Sequence, residues 1–217
     1  MFDENNTKLR KLSSSHTKSE YEKVEILNTC CYLGLNFYLN TCQFEKARAE
    51  AEQIEENWDL FKLSVDPSSL MTNCYNCIML YWILGENSQA SIWLNKIFEF
   101  NLMNKRQDLI VASRLMQMPV YYDLKKEYVG NCIESTTRTI KNNKEESVLS
   151  KTVLKYFKAA YKSLNPLAEI EQFYKALNDL KDSDAKYALG LEEMMLWCKC
   201  KLQNLPLKTI FENAQLK

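Results

Sequence analysis

Glycine and proline are scarce, with 4 of each in 217 residues, against a usual combined share of about 12%. Tight hairpin turns depend on residues that tolerate positive φ, glycine above all. A sheet protein of this length is therefore not expected. Histidine is scarcer still. His16 stands alone in a polar lead-in, whereas a Ser–His or Cys–His nucleophile pair needs a histidine held firmly by its surroundings. Neither a G-x-x-x-x-G-K-[ST] nor a G-x-G-x-x-G phosphate cradle occurs. An excess of either charge is also lacking, since 28 Lys and Arg balance 28 Asp and Glu. A protein that grips nucleic acid through its overall field is normally more basic. The longest apolar run, Cys77 to Leu84, is far shorter than the roughly 20 residues that span a bilayer. Residues 1–19 contain no apolar leader, so the eight cysteines are expected to be reduced thiols in the cytoplasm.

What the chain does have is helical periodicity. From Glu20 onward apolar residues recur at helical spacing, and about ten helices are expected. They cover residues 20–39, 43–60, 67–84, 87–102, 106–125, 127–141, 145–164, 166–181, 184–203 and 206–214. Residues 1–19, rich in Ser, Asn and Lys, are expected to form a flexible lead-in. Asp66-Pro67 and Asn165-Pro166 each place a capping side chain before a proline at the first helical position. Ser183 and Asp184 are expected to cap a later start. Short connections make neighbouring helices antiparallel hairpins.

Five hairpins in series invite a search for a repeat. Cys77, Ile78 and Tyr81 on one helix, Gly85 at the turn, and Ala90, Leu94 and Ile97 on the next form one unit. Gly34 and Phe37, followed by Phe44-Glu45-Lys46-Ala47, form a weaker copy with its spacing off by one. Tyr122 and Tyr128 mark a third, with Pro119 in place of the small residue and Asn131 in place of the alanine. This pattern resembles the tetratricopeptide repeat. The later segments YYDLKKEY, STTRTIKNNK and LEEMMLWCKCKLQNLPLKTIFE are similar to those of uncharacterised bacterial tetratricopeptide-like proteins. The resemblance implies an all-α, right-handed α-solenoid of about five antiparallel helix pairs, forming a single domain over 20–217. It implies no activity, and in that group such segments often end a longer chain.

The remaining chemistry is sparse. The acid pairs Glu55/Glu56, Glu145/Glu146 and Glu192/Glu193 are sequence neighbours, which point about 100° apart on a helix and do not converge. Cys74-Tyr75-Asn76-Cys77 is a C-x-x-C, but a structural zinc needs four ligands. The nearest second pair, Cys198 and Cys200, points to different faces. Cys74, Cys77, Cys30 and Cys31 read instead as small buried hydrophobes, with no metal and no cofactor. On the helix 145–164, Lys151, Lys155, Lys158 and Lys162 share one arc, opposite Leu149, Val153, Tyr156, Ala160 and Leu164. Arg138, Lys141 and Lys144 extend this basic stripe. In a curved stack the first helix of each pair lines the concave face. That makes Tyr75, Asn76, Gln117, Tyr121, Lys155 and Lys158 candidate contact residues.

The function expected is that of a non-enzymatic scaffold binding another protein or peptide. Two alternatives compete: a regulatory or sensor module of a larger protein, and an anion or nucleic-acid binder working through Lys151–Lys162. An uncapped stack also leaves the oligomeric state open.

Overall fold

A computed structural model describes residues 1–14, 19–100, 106–124, 126–143 and 147–215. Among these there are twelve α-helices, two 3-10 turns and no strand. The helices are α1 (Phe2–Ser13), α2 (Glu20–Asn40), α3 (Phe44–Glu56), α4 (Trp58–Ser64), α5 (Pro67–Ile83) and α6 (Asn87–Phe98). They continue as α7 (Gln107–Leu124), α8 (Val129–Asn143), α9 (Val148–Lys162), α10 (Pro166–Lys181), α11 (Leu191–Gln203) and α12 (Leu207–Gln215). The 3-10 turns are Lys126–Tyr128 and Asp184–Tyr187. The helices group into two compact units, Met1–Leu80 and Tyr81–Lys217, a finer division than the single domain expected over 20–217.

Local chemistry explains most boundaries. Ser19 and Glu22 form a capping box at the start of α2, in which each side chain satisfies the other residue's backbone N–H. Asp66 Oδ2 accepts from Ser68 N at 2.8 Å, as its place before Pro67 predicts. Asn165 does not cap α10. Its backbone N–H donates to Ser163 Oγ at 3.1 Å, its side chain accepts nothing from the first turn, and Pro166 stands at the start of the helix. Ser183 accepts from Ala185 N, but a 3-10 turn follows, and Gly190 at φ +97° opens α11 separately. Asn57 (φ −100°, ψ 11°) divides the segment 43–60 into α3 and α4.

The turns after α2 and α5 are built alike. Gln43 N donates to Tyr38 O at 2.8 Å, and Glu86 N donates to Tyr81 O at 2.8 Å. Cys42 N donates to Leu39 O, and Gly85 N to Trp82 O. Both reversals pass through a left-handed residue, Cys42 at φ 56° and Gly85 at φ +77°. Glycine enters that region without the clash a Cβ brings. Tyr38, and not Phe37, is thus the counterpart of Tyr81, and Cys42 stands where Gly85 stands. Ala47 and Ala90 follow at equivalent positions, both wholly buried.

In the first unit α2 packs against α1, α3 and α4. The expected flexible lead-in is corrected here: residues 2–13 form α1, and only His16 and its neighbours 15–18 lie outside the described residues. Helix α1 holds because its sparse apolar and charged groups find partners. Phe2 stacks on Phe37 with ring centroids 4.0 Å apart. Asp3 accepts from Tyr38 Oη at 2.7 Å and pairs with Lys46 at 2.7 Å. Arg10 reaches Glu50 and Gln53 of α3. Burial pushes the Glu50 carboxyl up, and the Arg10 guanidinium opposes that shift. A pair of this kind fixes placement more than it adds net stability. Below it Asn73 donates to Asn28 Oδ1 at 2.8 Å, so two buried amides partly satisfy each other.

Gly34 lies against the Glu50 side chain. A Cβ there would stand 2.7 Å from both Cδ and Oε1 of Glu50. Alanine gains roughly 0.5–1 kcal/mol over glycine inside a helix, whereas overpacking costs about 1–3 kcal/mol. The clash should win, because Arg10 holds Glu50 in place. Gly34→Ala is therefore expected to lower the free energy of urea unfolding, and the same change in a Glu50→Ala background to raise it. Equal effects in both backgrounds would contradict the contact.

In the second unit α7 is the central element, touching α6, α8, α9 and α11. Tyr122, Phe157, Phe173 and Trp197 bring α7, α9, α10 and α11 together. The Phe157 and Trp197 rings stack at 4.8 Å, and Tyr122 meets Trp197 edge-on at 5.3 Å. Asp123 ties α7 to α11 through Trp197 Nε1 at 3.2 Å and Lys201 Nζ at 2.6 Å.

Candidate functional site

The lysine stripe borders a cleft between α8 and α9. Lys151, Lys155, Lys158 and Lys162 are all exposed, while Leu149, Val153, Phe157 and Ala160 of α9 are buried. Leu164, expected on the buried side, is fully exposed because the chain leaves the helix at Ser163 (ψ 142°). The cleft has a volume of about 360 Å³ and is lined by residues of both helices. Ile133, Ile140 and Leu154 supply its apolar floor, and Lys141, Lys151, Lys155 and Lys158 its rim. Two hydroxyls also line it, but both donate to their own helices: Thr137 to Ile133 O at 2.7 Å and Ser150 to Ser147 O at 2.9 Å. No carboxylate pairs with Lys141, Lys155 or Lys158 among the described residues. Lys155 Nζ rests 5.0 Å from the Tyr156 ring centroid. Lys162 continues the stripe along α9 beyond the cleft, while Arg138 on α8 is exposed and does not line it. Lys144, Glu145 and Glu146 lie outside the described residues.

The other candidate contacts separate into two kinds. Tyr75 and Asn76 on α5 are buried, so they offer little surface to a partner. Gln117 and Tyr121 on α7 are half-buried, and the structure adds Arg114 to them one turn earlier. Arg114 Nη1 donates to Gln117 Oε1 at 3.2 Å, and its guanidinium carbon sits 3.6 Å from the Phe98 ring centroid. Burial presses its pKa below the ordinary guanidinium value. Tyr121 lies 6.3 Å, ring to ring, from Tyr128, which is itself exposed. Arg114 gives little signal in the sequence because it is the one charged residue between Asp108 and Asp123. Its spacing to Gln117 and Tyr121, three and then four positions, was the available signal.

No family model, curated protein or solved structure matches the chain.

Among the described residues no three His, Cys, Asp or Glu side chains gather as a metal site would require, and all eight cysteines are free. Cys74 and Cys77 are wholly buried in α5. Burial pushes the Cys31 thiol up to about 12 and the Cys132 thiol to about 11, which suppresses the thiolate needed for reaction. No helix is long and apolar enough to cross a membrane among the described residues. Cys42 and Cys200 are the two partly exposed thiols. Brief iodoacetamide treatment of the native protein near neutral pH should label these two first, with Cys31, Cys132 and Cys198 labelled only after denaturation. Equal labelling of all cysteine peptides by mass spectrometry would contradict this burial pattern.

Proposed function

We propose that the chain is a non-catalytic helical-repeat scaffold of the tetratricopeptide-like kind, whose α8–α9 cleft receives an acidic amphipathic segment of another protein. One observation carries the proposal: an apolar floor and a rim of lysines share a single cleft. A solvated lysine face needs no floor, and a hydrophobic slot needs no cationic rim. Together they fit a helix with acids flanking an apolar stripe, the mode in which amphipathic helices dock in grooves. Floor contacts contribute about 25 cal/mol per Å² of apolar surface buried. Rim charges act mainly on association rate and salt dependence. The turns after α2 and α5, which share one hydrogen-bond pattern, support the repeat element of the reading.

A second reading, a general anion or nucleic-acid surface, is favoured by the exposed Lys162, which extends the positive charge of α9 past the cleft. A fluorescein-labelled peptide with leucines on one helical face and glutamates beside them separates the two by anisotropy, measured against a scrambled peptide of equal composition. The patterned peptide should bind more tightly. Lys155→Glu with Lys158→Glu should weaken it at least about tenfold, or ~1.4 kcal/mol. Leu154→Asp, at a half-buried position, should also weaken it with unchanged circular dichroism. Equal binding of both peptides, insensitive to Leu154→Asp, would leave only the general anion surface.

A further inference from the structure

We infer that Arg114, with Gln117 and Tyr121 on the same face of α7, anchors a second binding site that takes a single carboxylate. Two contacts hold the guanidinium, and a third holds its backbone. Phe98 of α6 lies under it at 3.6 Å, Gln117 Oε1 takes Nη1 at 3.2 Å, and Thr136 of α8 donates to the Arg114 carbonyl at 3.2 Å. No carboxylate reaches it among the described residues. Its Nε is sealed from water without any acceptor, so this cation has lost hydration without gaining an ion pair. Such a group is costly to hold. An arginine in that position is half of a pair, with the other half supplied from outside.

The geometry selects the ligand class. A guanidinium donates charge-assisted hydrogen bonds to a carboxylate oxygen, and here Nη2 is the group open to one. Nη1 already serves Gln117, while Nη2 has no acceptor among the described residues and is not among the sealed atoms. The side chain is half-buried, so solvent still reaches its end. Its described neighbours Gln117, Tyr121 and Cys132 carry no second positive charge. A phosphate, with about −1.5 to −2 charges at neutral pH, would need another cation here, whereas a carboxylate needs one. The site stands apart from the α8–α9 cleft and does not depend on the peptide reading.

The test uses the full chain and sodium acetate as probe, with inorganic phosphate and sodium chloride at matched ionic strength as comparison arms. The readout is the Arg114 Nε–H resonance, sealed from water and therefore slow to exchange. It is one of five arginine signals, assigned by its loss in Arg114→Lys or by its proximity to the Phe98 ring in the unaltered protein. Acetate should move it along a saturable curve, leaving the Arg48 and Arg138 signals with no more than the drift seen in chloride. The response should persist in the Lys155→Glu, Lys158→Glu protein. Acetate producing no saturable shift, or one common to all exposed arginines, would overturn the site. Saturation by phosphate but not acetate would overturn the carboxylate assignment, and loss of the response in the lysine variant would overturn its placement at Arg114.

Discussion

A helix satisfies its own backbone, but it leaves a stripe of side chains that must be covered by something else. Among the described residues that requirement is met by helices alone. In the second unit α7 is covered by α6, α8, α9 and α11, and the Trp197 cluster closes the space where three of these helices meet α10. In the first unit α2 does the same for α1, α3 and α4. Polar groups caught under this cover are mostly given partners: Asn28 with Asn73, Glu50 with Arg10, Asp123 with Trp197 and Lys201. Cations left without acids then stand out. Among the described residues these include Arg114 beside Phe98, and Lys141, Lys155 and Lys158 around the α8–α9 cleft.

Much of this was legible in the residues. Scarce glycine and proline, with apolar residues at helical spacing, point to helices from Glu20 onward, Gly85 sits where a reversal requires it, and Ala90 is wholly buried. Other features were hidden for physical reasons. Helix α1 has few apolar residues, so periodicity could not reveal it; it is held by Phe2, Asp3 and Arg10 contacting residues distant in sequence. Cys42 turns the chain as Gly85 does, although cysteine carries no turn preference that would flag it. The Ser19–Glu22 capping box was readable and was missed.

The same division applies to the candidate site. Lysine spacing on α9 identified the rim, because a helix projects such residues along one arc. The floor needed α8 beside α9, and no feature of either segment alone specifies that Ile133 and Ile140 meet Leu154 there. Gln117 and Tyr121 were chosen from helix position, while Arg114 emerged only when Phe98 of α6 was placed against it. Tyr75 and Asn76 failed as surface residues because α5 is covered on more than one face, which its nearly continuous run of apolar residues already implied.

If cleft and rim act as one docking site, charge and pattern should be exchangeable across it. The most direct measurement is a charge swap: the Lys155→Glu, Lys158→Glu protein titrated with an amphipathic peptide whose glutamates are replaced by lysines. The account predicts that this pair binds, that each altered partner binds its unaltered counterpart weakly, and that scrambling the lysine peptide abolishes the recovery. Failure of the swapped pair to bind, with the altered protein still folded, would contradict a docking role for the α8–α9 cleft.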